Sequence, residues 1–299
     1  MNSDPALVMT VIAGPGAEAQ LAECVAAIAA ALALRAVPDW LAAGRACDLA
    51  CQNIDAKSAE AAARRAIAGA AIDVLVQPAA GRRKRVFVAD LEATMIENEM
   101  LDELADFIGR RAHVAEITRR AMNGEIDFAA ALAERVALLK GLPATALDEA
   151  AQRIRLMPGA PALLATLRTA GVRTALVTGG FTVFAEPVAA ELGFDEVVAN
   201  RLDLAEGRIA GTITAPIVER EAKRDTLVAL ARHCGVPLAA TLAVGDGAND
   251  LPMLEAAGLG VAFHAKPAVA AASRWRIDHA DLTALLYAQG YRTEEIIKA

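Results

Sequence analysis

The sequence predicts an α/β protein: a Rossmann-like parallel sheet between helices, carrying an inserted helical cap and preceded by a small α+β domain. Three observations predict it. Short apolar, β-rich runs at 86–88, 172–177 and 241–244 each end in a polar or glycine-containing turn. Segments with helical spacing separate these runs, the βαβ rhythm that gives a parallel sheet covered on both faces. Residues 95 to about 155 are helix-rich, with apolar side chains recurring at helical spacing, and read as a helical insert within that rhythm.

Taken in order, residues 1–80 form the small domain. Residues 7–12 read as a strand and 17–34 as a helix. Residues 58–68 read as a second helix with Ser58 as its N-cap, and 72–76 as another strand. Residues 40–51 offer a middle strand of weak pattern. Arg82-Arg83-Lys84-Arg85 reads as a solvated junction to the larger domain, 84–299. Val86, Phe87 and Val88 then form a core strand, and Thr94 with Glu97 three residues on reads as a capping box opening the next helix. In the insert, Met100-Leu101, Leu104-Ala105 and Ile108 mark one helix, and Phe128, Ala131-Leu132, Arg135-Val136 and Leu139 another. Met122-Asn123-Gly124-Glu125 reads as the turn between cap helices. Pro158-Gly159 restarts the core, with Pro161 in the first turn of a helix that Gly171 terminates. Residues 201–214, with Gly207 and Gly211, read as a short hairpin.

Four segments carry chemistry. Asp90 follows the 86–88 strand, and ligands of α/β sheets bind at the carboxyl ends of strands. Thr178-Gly179-Gly180 ends the next strand with a hydroxyl and two residues whose backbone N–H groups can approach an anion. Lys223 stands near the start of a helix, where a lone surface lysine is the plain alternative. Gly245-Asp246-Gly247-Ala248-Asn249-Asp250 sets two carboxylates around a tight turn, hard oxygen ligands of the kind Mg²⁺ takes. Alone it could equally be a calcium loop or a solvated turn, although it lacks the acidic alternation of an EF-hand.

Their order, over roughly residues 84–290, resembles the haloacid dehalogenase superfamily of aspartate-nucleophile phosphohydrolases. More narrowly, it resembles the enzymes of that superfamily that hydrolyse O-phospho-L-serine in the last step of serine biosynthesis. The family motifs are Asp-x-Asp-x-Thr, a Ser or Thr before glycine, a lysine, and Gly-Asp-Gly-x-Asn-Asp. Asp90, Thr178, Lys223 and Asp246 to Asp250 stand in those places. The resemblance implies that Asp90 attacks phosphorus and becomes an aspartyl phosphate. It also implies that Asp90, the Glu92 carbonyl and Asp246 hold Mg²⁺ while Asp250 positions a water on the metal. Thr178, Gly179, Asn249 and Lys223 then meet the phosphate oxygens. The family's general acid/base is the second aspartate of the first motif. Here that position is Glu92, followed by Ala93 where serine is usual. Glutamate has the acidity the role needs, but its extra methylene moves the carboxyl by on the order of 1 Å, a shift that can cost about a hundredfold. In the cap, the resemblance assigns Glu99 to a substrate ammonium, Arg135 to its carboxylate and Phe128 to packing over it. Residues 1–80 resemble the ACT-like domains that precede many bacterial members, a regulatory or dimerisation module.

Composition sets the remaining bounds. The 299 residues carry a net charge of −7, which argues against nonspecific binding to nucleic acid or acidic membranes. Residues 21–34 are apolar but too short to span a bilayer and contain Glu23. Asp4 and Pro5 stand where a secretion signal would be basic, so a cytoplasmic location is expected. Cys24, Cys47, Cys51 and Cys234 lack zinc-site spacing and read as free thiols, and the four histidines are scattered. A homodimer through the small domain or the cap is compatible with this reading. The alternatives are the same scaffold acting on another small phosphate ester or transferring phosphate to another alcohol, and a catalytically weak sensor of phosphoserine or serine.

Overall fold

The computed structural model describes residues 7–35, 37–123 and 125–298. Asp4, Pro5 and the Gly124 of the expected cap turn lie outside them. The chain divides into two compact units, Met1–Lys84 with Pro158–Ala170 and Trp275–Ala299, and Arg85–Met157 with Gly171–Arg274.

The first unit begins β1 (Leu7–Ala13), α1 (Leu21–Ala31), β2 (Asp39–Ala42), β3 (Ala46–Cys51), α2 (Ala56–Ala66) and β4 (Ile72–Pro78). The strands form an antiparallel sheet in the order β2-β3-β1-β4. The expected single middle strand is therefore a hairpin, because Gly44, at φ +70°, lets Arg45 N–H return to the Ala42 carbonyl at 3.0 Å. The first helix is shorter than 17–34: a 3₁₀ turn (Glu18–Gln20) precedes it, and Ala33 in the left-handed region ends it. Asp55, not Ser58, caps α2 by accepting the Ser58 N–H at 2.9 Å. The basic junction is only half solvated: Arg83 and Arg85 are exposed, but Arg82 and Lys84 are not. Arg82 is held by Asp48 at 2.5 Å and by the Tyr287 and Ala288 carbonyls, and Lys84 is buried. A guanidinium taken out of water needs such partners for its donors.

The second unit opens with β5 (Val86–Ala89) and the cap helices α3 (Met100–Asp106), α4 (Arg111–Met122), α5 (Phe128–Leu138) and α6 (Thr145–Ala151). The chain then contributes α7 (Ala160–Thr169) to the first unit. It returns with β6 (Arg173–Phe181), α8 (Thr182–Leu192), β7 (Glu196–Ala205), β8 (Arg208–Thr214), α9 (Arg220–His233), β9 (Thr241–Gly245), α10 (Leu251–Ala256), β10 (Leu259–Phe263) and α11 (Pro267–Ala272). β11 (Trp275–Ile277) and α12 (Ala284–Ala288) belong to the first unit, where the Trp275 indole donates to the Val76 carbonyl at 2.8 Å.

Within the second unit the strands run β10-β9-β5-β6-β7-β8, parallel except for the β7/β8 hairpin. The α/β expectation is met. Val86, Val88, Ala175, Val177 and Ala243 bury one face of the sheet against Leu227 and Leu230 of α9, and each buried valine or leucine is worth about 1.5–3 kcal/mol.

No helix opens at Thr94. Met95 and Ile96 N–H both donate to the Leu91 carbonyl, at 2.7 and 3.0 Å, and Ala93 is in the left-handed region. The chain turns back into a bridge between Ile96 and Leu156, and Met157 N–H reaches the Met95 carbonyl at 2.9 Å. The two ends of the cap are thus tied together, and helix begins only at Met100, with Glu99 at its N-cap. The β7/β8 hairpin turns at Glu206 and Gly207, both at positive φ, as a two-residue turn requires. It also braces the cap, since Gly141 N–H donates to the Ile209 carbonyl and Ile209 N–H to that of Leu142.

Candidate active site

Three adjacent strands deliver the polar groups. Asp90 leaves β5 and donates its N–H to the Val244 carbonyl of β9 at 3.1 Å. Asp246 leaves β9, and Thr178 and Gly179 lie among the last residues of β6. The Asp246 to Asp250 turn folds back so that Asp250 Oδ2 accepts the Gly247 N–H at 3.0 Å. A Cβ on Gly245 would sit 2.3 Å from Asp250 Cγ, so the residue before Asp246 must be glycine for this carboxylate to be in place.

Lys223 comes up from the first turns of α9 and is fully buried. Its Nζ lies 2.7 Å from Asp90 Oδ1 and 2.6 Å from Asp250 Oδ1. Burial works against its charge, but Asp250 and Asp90 outweigh that and hold its pKa above the ordinary lysine value. Lys223 is therefore a fixed cation between the two carboxylates, not a surface lysine.

Negative charge is in excess here. Burial and then the charge of Asp90 push the Asp250 carboxyl up to about 7, against the pull of Lys223. Burial raises Asp246 as well, against the pull of Lys266, whose Nζ lies 3.1 Å from Asp246 Oδ2. Carboxyl oxygens of Asp90, Asp246 and Asp250 all lie within 4.8 Å of one another. Hard oxygen donors converging in a buried, anion-rich spot fit a divalent cation such as Mg²⁺.

Glu92 spans the gap between core and cap. Its Oε1 accepts the Met100 N–H at 2.8 Å, and a Cβ on Gly180 would lie 3.1 Å from its Oε2. The longer side chain thus lies close to Gly180 while reaching the first turn of α3. Burial pushes its carboxyl up to about 7, opposed by the Met100 N–H and assisted by the charge of Asp90. Glu99 is raised well above the usual range by burial and by Glu92.

The cap supplies the opposite wall. Arg135 is 3 % exposed, its Nε donating to the Ala131 carbonyl at 3.1 Å and its Nη1 to Thr118 Oγ1 at 2.9 Å. The Phe128 ring tip covers Gly179 so closely that a Cβ there would lie 2.5 Å from Cζ. One cleft is lined by Asp90, Glu92, Glu99, Phe128, Arg135, Thr178, Gly179, Asp246 and Asn249. Lys223 and Asp250 lie buried against Asp90, so every site residue read from the sequence belongs to one place.

Asn200 and Lys266 are among the residues that escaped the sequence reading. Asn200 of β7 is buried, donates Nδ2–H to the Gly179 carbonyl at 2.8 Å and accepts the Val218 N–H at 2.7 Å. It thereby joins the end of β6 to the segment that leads into Lys223. Lys266 follows β10 much as Asp246 follows β9, and a search of every strand end for charged residues would have found it.

A model of haloacid dehalogenase-like hydrolases matches residues 87–255. The chain belongs to this family. Among haloacid dehalogenase relatives, the chain is 44% identical over 227 residues to a phosphoserine phosphatase of Mycobacterium tuberculosis, covering 75% of this chain and 56% of that protein. It is 43% identical over 203 residues to the phosphoserine phosphatase of Lactococcus lactis, covering 68% of this chain and 94% of the relative. The chain spans about half the length of the first two curated relatives it matches, 56% and 52%. Among solved structures, a phospho-aspartyl intermediate analogue of phosphoserine phosphatase superposes with TM-score 0.66 at 36% identity, over 69% of this chain and 98% of that one. A haloacid dehalogenase family hydrolase of Salmonella enterica superposes with TM-score 0.83 at 27% identity, over 95% of this chain and 98% of that one.

Proposed function

We propose that the chain is a Mg²⁺-dependent phosphoserine phosphatase, hydrolysing O-phospho-L-serine to L-serine and phosphate through an aspartyl phosphate on Asp90. The observation that carries the reading is the single cleft. Asp90, Thr178 and Gly179 on the sheet side face Glu99 and Arg135 on the cap side. One wall fits a phosphoryl group; the other offers an anion for an ammonium and a guanidinium for a carboxylate.

The chemistry follows from placement. Asp90 attacks phosphorus, splitting one displacement into two easier steps. Bound by Asp90, the Glu92 carbonyl and Asp246, with Asp250 beside it, Mg²⁺ would offset repulsion between the anionic nucleophile and the phosphate dianion. The Thr178 hydroxyl, the Gly179 N–H, Asn249 and the fixed ammonium of Lys223 meet the oxygens on which charge spreads. Glu92, with its carboxyl at about 7, holds a proton part of the time at neutral pH. In that form it protonates the serine alkoxide as the P–O bond breaks, and as the resulting carboxylate it takes a proton from the water that attacks the aspartyl phosphate. Phe128 packs over the substrate and, with the cap, keeps bulk water from the first step.

Among the described residues no helix is long and apolar enough to cross a membrane, and all four cysteines are free. We propose a cytoplasmic location, where free thiols are the ordinary state of cysteine. Phosphate release from O-phospho-L-serine, measured beside glycerol phosphate and with EDTA, tests the function. Fast, metal-dependent release selective for phosphoserine supports it, and equal turnover of the two esters overturns it.

A further inference from the structure

We infer that Thr118 and Asp102 form a positioning relay that aims the Arg135 guanidinium at the substrate carboxylate, and so set the preference for an amino-acid phosphate. The inference rests on the phosphoserine reading above. The relay joins three cap helices. Arg135 on α5 donates from Nη1 to Thr118 Oγ1 on α4 at 2.9 Å, and that hydroxyl donates to Asp102 Oδ1 on α3 at 3.1 Å. Thr118 is 4% and Arg135 3% exposed, so neither can exchange these bonds for bulk water.

The direction of the bonds matters. A threonine hydroxyl has one proton and can rotate to give it elsewhere. Asp102 takes that proton, so the oxygen lone pairs are left to receive Arg135. With Nε on the Ala131 carbonyl and Nη1 on Thr118, two edges of the guanidinium plane are fixed. Nη2 makes no hydrogen bond to any of the described residues, and Arg135 lines the cleft together with Glu99. A planar fork held on two sides and free on the third is prepared for bidentate contact with a carboxylate. Without the relay the same charge would remain in the cap, but its plane could turn. Neither Thr118 nor Asp102 lines the cleft, so both act through Arg135.

The test is a comparison of two phosphate esters that differ in the carboxylate alone, O-phospho-L-serine and O-phosphoethanolamine, on the parent, Thr118→Val and Thr118→Ser. Valine keeps the volume and removes the hydroxyl. Thr118→Val is expected to raise KM for phosphoserine by roughly ten- to a hundredfold, the effect of misplacing one charge-assisted contact. It should change kcat by less than about threefold and leave both constants for phosphoethanolamine unchanged. Thr118→Ser, which keeps the Oγ, should restore the parental KM. Asp102→Leu should reproduce the valine phenotype. If the parent prefers phosphoserine and Thr118→Val keeps that preference, the relay is wrong and the function stands. Equal losses on both esters would mean a merely structural threonine and also overturn it. If the parent itself shows no preference, the phosphoserine reading and the relay fall together.

Discussion

Replacing Glu92 by Gln separates the two halves of the proposed reaction. Glutamine keeps the size of the side chain and an oxygen to accept the Met100 N–H, now at 2.8 Å, so the core-to-cap contact survives. It cannot deliver or take a proton. Glu92 is the carboxyl above Gly180 whose pKa of about 7 leaves both forms populated at neutral pH. Losing such a group costs about 10²–10⁴-fold where proton transfer limits the rate. The first step with phosphoserine needs that proton because an alkoxide is a poor leaving group; the first step with p-nitrophenyl phosphate does not. Rapid-quench assays should therefore show Glu92→Gln slowed by about 10²–10⁴-fold on phosphoserine with no accumulated phosphoenzyme. With p-nitrophenyl phosphate the same variant should give a burst of nitrophenol and a stalled phosphoenzyme. Glu92→Asp withdraws the carboxyl from Met100 by on the order of 1 Å and should cost about a hundredfold. Turnover of phosphoserine by Glu92→Gln within about threefold of the parent would refute the acid/base role.

Four further outcomes follow from the same geometry. Lys223→Ala should abolish turnover and leave Asp90 and Asp250 buried without their cation. Breaking a buried pair costs about 3–5 kcal/mol, on the order of 10 °C in Tm, and calorimetry should find the drop larger in EDTA than in Mg²⁺. Gly179→Ala must push the Phe128 ring from its place, so kcat/KM should fall about tenfold, and adding Phe128→Ala should cost less in that variant than in the parent. Glu92 and Asp250 have folded pKa values of about 7, above their ordinary 4.5 and 3.8. The folded state therefore binds more protons than the unfolded one between those values, and the Tm of EDTA-treated protein should fall from pH 5 to pH 7.5, with Mg²⁺ flattening the slope. Burial and the neighbouring Asp48 push the Cys47 thiol up to about 12, so iodoacetamide at pH 8 should modify Cys47 only after unfolding, as peptide mass analysis will show.

What the sequence made legible was local. Asp90, Thr178 and Asp246 each end a short β-rich run, and strand ends are where an α/β sheet binds its ligands. The β7/β8 hairpin was legible for the same reason, since Glu206-Gly207 is a turn encoded in two residues. The Thr94–Glu97 pattern misled because the Leu91 carbonyl captures the next N–H groups and the chain closes the base of the cap instead. That contact depends on Leu156, about sixty residues on, and no local pattern encodes it. Asn200, Thr118 and Asp102 were illegible for a related reason. Each sits at an ordinary position of a strand or helix, and only the packing of α3, α4, α5 and β6 against β7 gives its polar atoms partners. The buried ties of Arg82 lie in residues far along the chain, which is why a run of basic residues looked like solvated surface.

The most direct test of the central claim is to find where the phosphoryl group goes. The enzyme is mixed with phosphoserine and Mg²⁺, quenched in acid and digested, and the peptides are analysed by mass with and without hydroxylamine, which cleaves acyl phosphates. The account predicts one phosphorylated peptide, containing Asp90, sensitive to hydroxylamine and absent from Asp90→Asn. A phosphoryl group on any other residue, or undiminished turnover by Asp90→Asn, would contradict it.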